Sequence, residues 1–127
     1  MFPKHPIQID EDLREQGLGS VPLLSPETFE QMVKKCFDQP STPILGIESA
    51  EASAQRMQRA IGRLRVLPVG VISHGRIISA YVSGLVGLDG FAVWRSLRMP
   101  DVLLVNPTAR EVKRIDSPFP YKGKLPR

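Results

Sequence analysis

Apolar residues recur at Phe29, Met32, Val33, Cys36 and Phe37, the i, i+3, i+4, i+7, i+8 spacing of one helical face. The residues just before them are helix starters. Ser25 can cap, Pro26 suits the first helical position, and Glu27 meets the positive end of the dipole. The pattern predicts a helix over "SPETFEQMVKKCFD", followed by a loop, "DQPSTPILG". Ser49 then caps a second predicted helix, "AEASAQRMQRAIGRLRV", which Pro68 stops. Its buried stripe is expected at Ala54, Met57, Ile61 and Leu64.

The periodicity changes at "VGVI", residues 69–72, which is β-branched and apolar on both parities. That predicts a short strand buried on both faces of a parallel-type sheet. A third helix is expected from about Gly75 to Leu88, with Ile77, Ile78, Tyr81, Leu85 and Leu88 available to the core and Gly87 as terminator. "FAVWRSL" suggests a further short helix, with Phe91 and Trp94 in the core. "DVLLVN" and "EVKRI" flank "PTAR" as an antiparallel hairpin. Residues 1–24 look irregular, because two close glycines in "IDEDLREQGLGS" oppose a continuous helix. The order of elements predicts one α/β domain over 1–115 and a flexible tail over 116–127. Its sheet has only three evident strands, which is thin for a helix-covered α/β domain.

Composition narrows the function classes. An apolar fraction of 42% in 127 residues is enough for a real core, and no apolar run approaches the roughly 18 residues of a membrane span. The N-terminus lacks the apolar region of a secretory signal. A single cysteine, Cys36, excludes an internal disulfide and fits a reducing compartment, so a cytoplasmic location is expected. The net charge of +4 is unevenly placed: residues 1–60 carry −3 and residues 61–127 carry +7. A basic half suits an anionic partner, a phosphorylated small molecule or nucleic acid. It also suits a plain solvated face. Nucleic acid is the weaker of the two partners, since no aromatic-basic motif accompanies the charge.

The stretch "VISHGRIISA" carries the clearest candidate chemistry. In α/β sheets, ligands bind beyond the carboxyl ends of the strands. His74 is expected at such an end, at the opening of a helix whose N–H groups favour an anion. Gly75 permits close backbone approach, and an imidazole there can donate a hydrogen bond to developing charge on a phosphoryl group. The other reading of His74 is a residue that merely caps the turn.

"VGVISHGRIISAYVSGLVGLDGFAVWRSLRMPDVLLVN" resembles the later half of the histidine phosphatase superfamily, the phosphoglycerate mutase-like proteins. There a strand, a Ser-His-Gly turn, a helix, an aromatic segment and a final strand follow in this order. Upstream, "LREQGLG" (13–19) is similar to the family's Leu-x-Glu-x-x-x-Gly acid motif, and "GIESAEASAQR" (46–56) to its Gly-Glu-Ser element with a following Arg. The similarity runs from about residue 8 to 115. It implies a partial three-layer α/β sandwich and phosphoryl transfer through a phosphohistidine, as a phosphomonoesterase or a mutase. Neither a metal nor a cofactor is implied. His74 would be the second active-site histidine, contacting the phosphoryl group with Gly75, and Glu15 the general acid that protonates the leaving oxygen. Glu48 and Ser49 are expected to serve the second helix, Ser49 as its cap and secondarily as a substrate contact. Arg56 is expected on a helix face or in an ion pair. Arg76 is expected at the surface, with contact to the anion as its alternative.

The family's nucleophile, a histidine in Arg-His-Gly, has no counterpart. The other histidine, His5 in "PKHPIQ", lacks the Arg and the Gly. The first strand and its helices are therefore expected to be missing and the chain to be inactive alone. The unpaired edge of 69–72 is expected to invite self-association. The reading from another class is a non-catalytic α/β module that binds an anion or a partner.

Overall fold

The computed structural model describes residues 6–18 and 23–115. Its helices are α1 (Pro26–Asp38), α2 (Ala50–Gly62), α3 (Gly75–Val86) and α4 (Gly90–Ser96), and its strands are β1 (Leu103–Asn106) and β2 (Glu111–Arg114). Three helices begin at a side chain that satisfies an orphan N–H. Ser25 Oγ accepts from Thr28 N, Ser49 Oγ from Ala52 N, and Asp89 Oδ1 from Ala92 N. Helix α3 has no such residue of its own: His74 occupies the cap position and its side chain makes no cap bond. The helix ends at Gly87, whose φ of 73° lies in the left-handed region that glycine enters without strain.

Two apolar clusters hold these pieces together. Met57, Ile77, Tyr81, Val82 and Val93 form the first, where α2, α3 and α4 meet, and Leu103, Val105 and Val112 of the hairpin pack against it. Val33, Cys36 and Leu45 form the second, covered by Phe29, Met32, Phe37, Phe91 and Trp94. The strands pair antiparallel with Val105 opposite Val112, and the turn between them closes through Asn106 Oδ1, which accepts from Ala109 N. Arg114 ties the hairpin to α4. It donates to Ser96 O at 2.9 Å, and its Nε lies 3.2 Å from Asp101 Oδ2, close enough to pair charges though misaligned for a hydrogen bond.

The chain is mixed α/β, four helices with a small antiparallel sheet, in agreement with the partial architecture expected. Three details differ. Residues 69–72 form no strand, because a strand exists by its ladder and the described residues supply no partner. Val69, Val71 and Ile72 are exposed there rather than buried, and the sheet has two strands, not three. Helix α3 stops at Val86, short of Leu88. The buried face of α2 is also rotated from the expected stripe: Ala50, Ser53, Arg56, Met57 and Ala60 are buried, while Ala54, Ile61 and Leu64 are only partly so. A charged residue, Arg56, turns the helix toward the protein. His5 and the expected tail 116–127 lie outside the described residues.

Glycine substitutions test the packing. A Cβ on Gly90 would collide with the Phe37 ring, whereas one on Gly84, inside α3, meets nothing within 4 Å. Gly90→Ala should lower stability by about 1–3 kcal/mol through overpacking. Gly84→Ala should raise it by about 0.5–1 kcal/mol through helix propensity. Urea unfolding of the two variants against the parent measures both.

Candidate functional site

The segment 14–18, between a short 3-10 turn (Glu11–Leu13) and the next described residues, has no regular structure of its own. Side chains from two helices hold it instead. Arg56 of α2 is 3% exposed and donates to Asp12 O (2.8 Å), Arg14 O (2.9 Å) and Glu15 O (3.3 Å). Its Nε and Nη2 grip the Glu48 carboxylate at 2.8 and 2.7 Å. Glu48 completes the frame: its Oε1 accepts from Gly17 N and its backbone carbonyl from Gln16 Nε2, each at 3.0 Å.

Held in this way, the segment reaches the start of α3. Ser73 Oγ donates to Leu13 O at 2.7 Å. Glu15 Oε1 accepts from Ile77 N at 2.9 Å and from Gln16 N at 2.8 Å, while Oε2 accepts from Arg76 N at 3.1 Å. Glu15 thus supplies the cap that His74 does not. The structure brings Glu15, His74 and Gly75 to one helix end, although Glu15 and Arg76 are 61 positions apart. His74 has extended backbone (φ −125°, ψ 162°) and an exposed side chain. The Trp94 indole lies beside Gly75, 3.7 Å from where a Cβ would stand.

Arg76 corrects the surface expectation. It is 5% exposed, donates from Nη2 to Gln16 O at 3.1 Å, stands 3.8 Å from Glu15 Oε2, and lies over the Phe29 ring. The aromatic face and the neighbouring carboxylate make burial of this cation tolerable. Nη1 of Arg76 and Oε1 of Gln16 are buried without a hydrogen-bond partner among the described residues. Ser49 is where it was expected, capping α2; it and Glu48 line a shallow concavity with Arg14, Gly17 and Ile47. A second concavity lies between α1, α2 and α3. Neither is lined by His74 or Glu15. Arg56 and Glu48 were visible in the sequence only as an ion pair and a dipole partner. No periodicity signals that their pairing fixes a distant loop.

Electrostatics follow the contacts. The hydrogen bonds from Arg56 hold the Glu48 carboxyl below its ordinary 4.5 against the opposing effect of burial, with Gly17 N–H helping. The same bond raises Arg56. Burial pushes the Cys36 thiol up, away from the reactive thiolate. Among the described residues, no group of three or more His, Cys, Asp or Glu side chains could hold a metal ion, and no helix is long and apolar enough to cross a membrane.

A family model, "Histidine phosphatase superfamily (branch 1)", matches residues 2–106 of the chain. No curated protein and no solved structure matches it.

The Glu48 carboxyl sets a pH dependence. A carboxyl whose folded value is depressed contributes stability that is fully present above its unfolded value and lost as pH falls through the folded one. The parent should therefore lose stability progressively below about pH 4.5, Glu48's ordinary value. Glu48→Gln should be destabilised already at pH 7, on the order of 3 kcal/mol for a broken buried pair. Its stability should then fall less steeply between pH 5 and 3. Denaturant unfolding across that range gives both slopes, and parallel slopes would show that Glu48 titrates alike in both states.

Proposed function

Because the chain belongs to the histidine phosphatase superfamily, we propose that it receives a phosphoryl group at the start of α3, on His74 and the Gly75 N–H, with Glu15 beside them. Membership places it in a phosphoryl-transfer lineage, for which phosphorylated substrates are the natural ligands. The observation that supports the site is the capping of α3 by Glu15, which brings a carboxyl to the helix end where His74 holds the cap position with no cap bond from its side chain. In this role His74 donates a hydrogen bond to a phosphoryl oxygen. Glu15, when protonated, gives its proton to the leaving oxygen. Ser49 caps the neighbouring helix and is at most a secondary contact. Arg76 acts from beneath, as a buried positive charge close to Glu15.

Covalent transfer through phosphohistidine needs a nucleophilic histidine with room for in-line attack. The 127 residues hold His5 and His74 and no Arg-His-Gly. His74 serves the other role, and His5 adjoins Pro6 with neither Arg nor Gly at its side. The chain by itself is accordingly a phosphoryl-binding domain without turnover. A cytoplasmic setting suits its lone, buried cysteine.

A second reading, self-association through 66–72, is favoured by exposure. Val66 is 76% and Ile72 92% exposed, with Leu67, Val69 and Val71 exposed between them. An exposed apolar segment without a ladder is a template for another chain. Sedimentation velocity should show a concentration-dependent dimer or larger species that Ile72→Lys disperses. A strictly monomeric parent overturns this reading.

The phosphoryl site is tested with inorganic phosphate and an aryl phosphate. The chain's single tryptophan, Trp94, adjoins Gly75, so its emission should report phosphate binding. His74→Ala should weaken that binding roughly ten- to a hundredfold, the loss of one charge-assisted hydrogen bond worth about 1.5–3 kcal/mol. Glu15→Gln should strengthen it by removing a like charge. Aryl phosphate should not be turned over above background. Turnover near an ordinary rate of about 10 per second, abolished in His74→Ala, would overturn the inactive domain. Absence of phosphate binding would leave the partner-binding module in its place.

A further inference from the structure

We infer that Arg56, a residue of α2 bonded to the Glu15 backbone, is the positioning residue of the Glu15 carboxyl. The inference rests on the reading of Glu15 as part of the phosphoryl site. All five N–H donors of a guanidinium are engaged here in five hydrogen bonds, three to the carbonyls of Asp12, Arg14 and Glu15 and two to Glu48. Residues 14–18 have neither helix nor strand to set their backbone. Their shape is decided by what grips them. Arg56 and Glu48 together take four of those grips, at Arg14 O, Glu15 O, the Gln16 side chain and Gly17 N.

The coupling to the site is direct. The same residue, Glu15, accepts from Arg56 through its backbone carbonyl and from Arg76 N and Ile77 N through its carboxylate. A carboxylate that caps a helix must stand within hydrogen-bond distance of two particular N–H groups, so a shift of its backbone by an ångström breaks the cap. Lysine cannot substitute for Arg56. It has one point-like ammonium with three donors and no planar fork, so it can pair with Glu48 but not span three carbonyls as well. Glu48 has the complementary duty: it neutralises the buried guanidinium and orients it, which is why both carboxylate oxygens are committed to Arg56.

A purely structural arginine would stabilise the whole protein alike. A positioning one acts on the helix end selectively, and amide NMR separates the two. In the parent, Glu15→Gln should displace the Arg76 and Ile77 amide resonances, because the carboxylate accepts from both N–H groups. Two folded variants then decide. Arg56→Lys keeps the charge pair, and the double replacement Arg56→Met with Glu48→Met removes it without leaving an unpaired charge, a change that buried pairs often tolerate. In both, the Arg76 and Ile77 amides should no longer respond to Glu15→Gln. They should also exchange roughly tenfold faster or more, as local opening without global unfolding predicts, while the amides of Val82 and Met57 keep their protection. Retention of the response to Glu15→Gln and of protection at 76 and 77 in either folded variant overturns the inference. So does unfolding of both variants, which would make Arg56 a support of the entire fold. Failure of the parent to bind inorganic phosphate overturns the phosphoryl reading instead and leaves the amide result standing.

Discussion

A guanidinium removed from water has to find acceptors for all its donors, and a compensating charge, or it is expelled. Arg56 meets both demands inside this protein, and much else is arranged around the way it does so. Two of its acceptors are the Glu48 carboxylate oxygens, and the others are carbonyls from the stretch between Asp12 and Glu15. A loop without a ladder or a helix is thereby bound to α2 as firmly as a strand would be bound to its neighbour. The apolar packing of Met57 and Ile77 brings α2 and α3 together. The polar frame around Arg56 then determines what is displayed at the end of α3. Removing either partner alone exposes the other to the full cost of an unpaired buried charge, so the pair behaves as one unit.

The helical part of this architecture was legible in the sequence because helices advertise themselves locally. Ser25, Ser49 and the stripe from Phe29 to Phe37 do in the structure what their types and spacing suggest. The hairpin likewise follows from two β-rich runs around a turn. What was not legible depends on partners distant in sequence. Residues 69–72 have a strand's composition, but a strand is a relation between two segments, and the described residues offer no second one. The buried face of α2 was misplaced because a periodicity argument counts Arg56 as polar and turns it outward. Arg76 was misplaced for the same reason, its burial resting on Phe29 and Glu15, 47 and 61 residues away in the chain. Of the candidate site, Glu15, His74 and Gly75 meet at one helix end, while Ser49 caps α2 apart from them. The residues that hold them there gave no periodic signal.

The start of helix α3 also explains why the residue in its cap position is left available. A helix start needs an acceptor for its orphan N–H groups, and the residue in the cap position commonly provides it. Histidine does so poorly, and here Glu15 takes over the work from another segment. Structure and chemistry are therefore divided between two residues. Glu15 satisfies the backbone, and the His74 ring stays uncommitted and exposed. The division introduces a conflict. A carboxylate is the best occupant of a positive helix end, so it competes with any anionic ligand for the same field. Arg76 reduces that conflict from below, with its Nε 3.8 Å from Glu15 Oε2 and its Nη1 still lacking a partner among the described residues. An incoming phosphoryl group would meet a helix end whose negative occupant is already partly neutralised.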